Sequence, residues 1–151
     1  MRDKPFAVLT RTRGGTEGLW TVDLSGQNAS ITATDLVAAA NVSGGIYVIK
    51  GVARVTTAAG TSSSLNVQLK YTDNDGGTLI TTNNIQGLNM LSAITPGIVV
   101  TPNNSTGTGG IFYFSQIISA SAGNAIQYLA SYASNPASAM VYSLHIVASR
   151  F

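Results

Sequence analysis

The chain has 151 residues, no cysteine and a formal net charge of +2, and only 9% of its residues are charged. That length suits one domain with a sizeable core, and the missing thiols exclude disulfide staples and thiolate metal sites. A charged fraction far below the roughly 25% of an ordinary soluble domain leaves a surface of Ser, Thr, Asn, Gln and Gly, or one hidden against other subunits, with few charges to hold identical copies apart.

The basic residues are unevenly placed. Arg2, Lys4, Arg11 and Arg13 fall in the first thirteen positions, and Arg150 lies beside the other end. Residues 1–13 read as a basic arm that contacts an acidic partner surface or nucleic acid, or as a solvated terminus; residues 14–151 read as a single β-sandwich domain. Between the ends only Lys50, Arg54 and Lys70 are basic. Three such residues neutralise too few phosphates for duplex binding, so no direct nucleic-acid contact is expected. The opening "MRDKPFAVLTRTR" is interrupted by arginines and lacks a signal-peptide core. No apolar run is long enough to span a bilayer, and no membrane partner is expected.

The first predicted strands are "FAVLTRT" (6–12), "GLWTVDL" (18–24) and "ASITATDLV" (29–37). "TDLVAAAN" (34–41) can form one helical turn capped by Thr34 or Asp35. "GIYVIKGVARVTT" (45–57) follows, with Tyr47, Ile49, Gly51, Ala53 and Val55 on one face and Lys50 and Arg54 on the other. The clearest pattern is Leu65, Val67, Leu69 and Tyr71 alternating with Asn66, Gln68, Lys70 and Thr72. Strand side chains point to opposite faces with period two, so this segment has one dry face and one wet face, as antiparallel sheets do. "GTLITT" (77–82), a strand within the looser stretch 85–110 at 97–101, "GIFYFSQIIS" (110–119), "AIQYLASYA" (125–133) and "AMVYSLHIVAS" (139–149) complete eight or nine strands. Separators rich in Gly, Ser, Asn and Pro form the corners. Short strands spaced this way predict an all-β antiparallel sandwich or barrel of about eight strands, and the long crossover is what a jelly roll or Greek key requires.

Few motifs carry chemistry. "YTDNDGG" (71–77) offers Asp73 and Asp75 to a cation, but counting from Asp73 places Asn84 where a calcium loop needs a bidentate Glu. A hairpin turn explains the same letters: Asp and Asn tolerate left-handed backbone, Gly76 and Gly77 supply positive φ, and a strand resumes at Thr78. His145, the one histidine, shares strand parity with Ser143 and Val147 and reads as a half-exposed sheet residue, because no G-x-S-x-G elbow or obvious carboxylate completes a triad. Six acidic residues give no pair at glycosidase spacing. "TGTGG" (106–110) precedes no Lys, so a phosphate cradle is unsupported. Four N-x-S/T matches carry no weight without a secretory signal. Most aromatic residues alternate with apolar ones and read as core. Trp20, between Glu17 and Thr21, is the candidate for stacking on a sugar. No catalytic residue, metal or cofactor is expected.

"GIYVIKGVARVTTAAGTSSSLNVQLKYTDNDGG" (45–77), together with "GNAIQYLASYASNPASAMVYSLHIVASRF" (123–151), resembles small β-sandwich virion proteins of tailed bacteriophages. The shared pattern is a Gly-aromatic strand, a Thr/Ser-rich turn, a strand ending in Tyr-Thr-Asp, and "IQY…YAS…A…Y.LH". The resemblance implies a jelly-roll-like, commonly trimeric domain on the head surface or in the tail. An opening Met and the lack of a coiled-coil shaft favour a stand-alone head decoration (cement) protein. Its expected partners are itself, as a homotrimer, and the major capsid protein or another virion protein. The rival expectation is a tail-fibre or baseplate receptor-binding module for host-surface glycan, with Trp20 or an outer Tyr exposed on a cleft.

Overall fold

The computed structural model describes residues 18–57, 59, 62–82, 111–135 and 140–151. The basic arm and the strands predicted at 6–12 and 97–101 lie outside the described residues. Eight strands are described: β1 (Leu19–Gln27), β2 (Ile31–Val37), β3 (Gly45–Thr57), β4 (Ser62–Thr72), β5 (Leu79–Thr81), β6 (Ile111–Ala120), β7 (Ile126–Asn135) and β8 (Val141–Arg150). They form two four-stranded sheets of order β1-β8-β3-β6 and β2-β7-β4-β5, and every pairing is antiparallel.

The topology follows from one long hairpin rolled on itself. Pairs β1–β8, β2–β7, β3–β6 and β4–β5 join the chain's ends inward to its middle, and β3–β8 and β4–β7 close the roll. This is jelly-roll connectivity, and the sandwich expected from the sequence is present. Inner positions of both sheets make one core that includes Tyr47, Ile49, Leu65, Leu69, Tyr128, Tyr142, Leu144 and Ile146. Both faces of β3 fall as its alternation predicts: Tyr47, Ile49, Ala53 and Val55 are buried, while Lys50 and Arg54 are exposed.

Gly51 keeps that register for a packing reason. A Cβ built on it would overlap the ring of Phe114, its cross-strand partner, and stand 2.7 Å from the His145 carbonyl oxygen. Without a side chain, the strand admits the phenyl ring into the core. A buried and a half-buried tyrosine tie the corners. The Tyr142 hydroxyl donates to the Ala29 carbonyl at 2.8 Å, and that of Tyr132 to the Met140 carbonyl at 2.9 Å. Burial, reinforced by neighbouring Tyr132 and Tyr128, pushes the Tyr142 phenol well above its ordinary 10.0, so it stays protonated as the donor.

The helical turn expected over 34–41 is shorter than predicted. β2 runs on to Val37, because Leu36 and Val37 are pulled fully into the core; only Ala39–Asn41 coil, as a 3-10 turn. Neither expected cap forms. The Thr34 hydroxyl donates to the Thr32 carbonyl at 2.8 Å, and an Asp35 carboxylate oxygen accepts from Gln127 Nε2 at 2.8 Å.

Candidate functional site

"YTDNDGG" is a turn. An Asp73 carboxylate oxygen accepts the backbone N–H groups of Asp75 (3.2 Å) and Gly76 (3.0 Å), and the Asp73 N–H donates to the Thr78 carbonyl at 2.8 Å. The carboxylate is thereby spent on its own backbone, as in an Asx-turn. Gly77, with φ +62°, supplies the left-handed residue, whereas Gly76 was expected to share that task and does not. Strand pairing resumes at Leu79, one residue after the expected Thr78. Among the described residues no group of three or more His, Asp or Glu could hold a metal ion.

Trp20 is a correction. It shares parity with Val22 and Leu24, is only 8% exposed and packs against the Tyr47 ring at 6.0 Å between centroids. Its indole folds over Gly18, which has no Cβ to obstruct it. A sugar could not stack on this ring without opening the core. Two other aromatic residues depart from the core reading: Tyr113 is 62% exposed and Phe151 77%.

His145 is exposed, as expected, but it has a partner that the sequence did not reveal. Its Nδ1 meets a carboxylate oxygen of Asp23 across the β1–β8 pairing. Both side chains are at least half exposed, and an ion pair in water contributes little. At the sandwich end, Arg150 donates from Nε (3.2 Å) and a terminal nitrogen (2.9 Å) to the Gly44 carbonyl. It pins a corner of the fold and is not part of a free basic patch.

The distinctive surface is the outer face of the β1-β8-β3-β6 sheet. The registers lay out its rows from β1 to β6: Leu19, Ser149, Val48 and Ile117; then Thr21, Val147, Lys50 and Ser115; then Asp23, His145, Val52 and Tyr113. Ser143, Arg54 and Ile111 continue the series on three strands. Among the described residues eight large hydrophobic side chains are exposed: Leu19, Ile46, Ile111, Tyr113, Ile117 and Val147 lie on this sheet and Phe151 directly follows it, leaving Leu79 on the other. The opposite outer face has rows of Asp35, Gln127, Lys70 and Thr81, then Leu129 with Gln68, then Ser131 with Asn66. The first outer face gathers the exposed apolar side chains among Asp23, His145, Lys50 and Arg54; the second is mostly amides and hydroxyls with Asp35 and Lys70. Exposed large apolar side chains gathered on one face mark a candidate site of contact with other molecules.

No family model and no curated protein matches the chain. Among solved structures it is similar in fold to VP2 of infectious bursal disease virus, in the crystal structure of a VP2 subviral particle. The TM-score is 0.52 with 12% identity, over 89% of this chain and 33% of that one. A structure of the Gx strain of the same virus matches with TM-score 0.41 and 13% identity, over 99% of this chain and 36% of that one. The chain thus spans about a third of the length of either structure. At 12% identity the first likeness is one of fold alone.

Proposed function

We propose that this chain is a non-enzymatic structural protein of a virion: a decoration protein that seats on the head shell of a tailed phage and stabilises it. The observation that carries this reading is the apolar outer face of the β1-β8-β3-β6 sheet, set opposite a polar one. A sandwich with two different outer sides suits a layer protein, with one side against a shell and the other in water. The fold likeness to VP2, which forms a subviral particle, supports the same class of role.

The mechanism is linkage. A protein that binds only the assembled shell stabilises that shell by mass action. Many copies multiply a weak contact through effective concentration, and three-fold association of copies, as the resemblance implies, adds to this. The basic arm at Arg2, Lys4, Arg11 and Arg13 completes the contact on an acidic shell surface. The glycan-receptor reading has lost Trp20 to the core and rests on Tyr113, which stands on an open sheet face beside Val52.

The test is to strip the protein from particles, heat them and follow genome release. Release at a lower temperature, restored by adding the protein back, supports cementing. An unchanged release temperature counts against it, and a glycan-array signal abolished by Tyr113→Ala would favour the receptor reading.

A further inference from the structure

The four sheet edges are not alike. Natural sheets blunt their edges with charge, proline, bulges or shortness, because a free strand edge otherwise pairs with another chain. β1 carries Asp23 and a register shift between Leu24 and Gln27. β2 carries Asp35 and two register shifts. β5 has three residues. β6, "IFYFSQIISA", has ten residues without charge, proline or glycine, and pairs with β3 at every position from Ile111 to Ala120 without a break. Among the described strands none flanks its other edge; there only the end of β6 is engaged, where Ala120 bridges Asp73 and the Asn74 N–H donates to the Ser119 carbonyl at 3.1 Å, which leaves Ile111–Ile118 open.

We propose that the β6 edge is a self-recognition site, where β6 of a second copy adds antiparallel about a two-fold axis through Ser115. A strand meeting its own copy this way makes an isologous contact, and strand addition at an edge is an established mode of recognition. The register follows from the side chains. Centring on Ser115 sets Tyr113 opposite Ile117 twice, joining two large apolar groups that are 62% and 65% exposed. Centring on Gln116 would set Tyr113 against Ser119 and Ile117 against Ser115. Centring on Phe114 would leave Tyr113 against Ser115.

Charge permits the pairing. The nearest cation in the central row is Lys50, beside Ser115. Its copy lies three strand spacings away, about 14 Å, beyond the roughly 8 Å screening length at physiological salt. Both sandwiches fall on the same side of the resulting eight-stranded sheet, so their apolar outer faces become one continuous surface. This deepens the shell-binding reading, which it rests on, by making the bound unit bivalent. Three-fold contacts, where they form, use other surfaces, and the two-fold then links one trimer to the next.

Ser115→Cys tests this in a chain with no other thiol. Residues directly opposite in an antiparallel pair have Cα atoms about 4.5–5.5 Å apart, within disulfide reach. Mild oxidation of the full-length variant should give a covalent dimer on a denaturing gel, whereas Ser25→Cys, an exposed serine on the β1 edge, stays monomeric. Sedimentation of the otherwise unaltered chain should show a reversible species that Ser115→Lys weakens at least tenfold. Ser115→Cys that cross-links no faster than Ser25→Cys, or association indifferent to Ser115→Lys, overturns the proposal. A protein that fails these tests yet still binds particles sinks the edge pairing alone; one that passes them and binds no particle sinks the shell reading.

Discussion

The two outer faces of this sandwich are built on the same strand geometry from opposite chemistry. On the β2-β7-β4-β5 side, Gln68, Lys70, Gln127 and Ser131 meet water, and Gln127 bonds to Asp35. On the β1-β8-β3-β6 side, Ile111, Tyr113, Ile117 and Val147 stand where polar groups would cost nothing. Core packing explains neither set, since both point away from the core. The difference teaches that one side is shaped for solvent and the other for contact.

The comparison can be broken most forcefully by charge. The pair Tyr113→Lys and Ile117→Lys should weaken particle binding about a hundredfold, roughly 2.7 kcal/mol, with the melting temperature nearly unchanged because both positions are exposed. The matched pair Gln68→Lys and Ser131→Lys on the polar side should leave binding within about twofold. Equal losses from both pairs in a binding titration would abolish the distinction.

The layer beneath the apolar face is next in size. Gly51→Val pushes a branched side chain into the Phe114 ring, and overpacking of this kind costs about 1–3 kcal/mol, read by denaturant unfolding. The polar face offers a change of opposite sign. The Asn66 side-chain oxygen is buried and, among the described residues, has no hydrogen-bond partner. Asn66→Thr removes that burden and fits a strand, so stability should rise by up to about 1 kcal/mol. The smallest effect belongs to the exposed Asp23–His145 pair: Asp23→Asn should shift stability by less than about 0.5 kcal/mol, and a larger loss in thermal unfolding would mean that the pair matters to the fold.

Much of the architecture was legible because period two is a local signal. The 45–57 strand was bounded as observed, and the dry face of Leu65, Val67, Leu69 and Tyr71 lies in the core. β4 starts earlier than its alternation suggested, at Ser62, because β7 continues alongside it to Asn135; a cross-strand partner decided that boundary. Parity also held the answer for Trp20, which keeps step with Val22 and Leu24, although its polar neighbours in sequence pointed outward. The apolar outer face was not legible. "GIFYFSQIIS" is greasy on both parities, so alternation cannot say which side is wet until the sheet order makes β6 an edge. The meeting of Asp23 and His145 was equally hidden, since it depends on the chain's two ends pairing in the roll.

The most direct test is an electron cryomicroscopy map of intact particles from the infected host, with the sandwich fitted at side-chain detail. The account predicts the β1-β8-β3-β6 sheet turned toward neighbouring virion protein, with Tyr113 and Ile117 buried and Gln68 and Lys70 facing solvent. A sandwich seated on its amide-rich side, or particles that lack the chain, would contradict it.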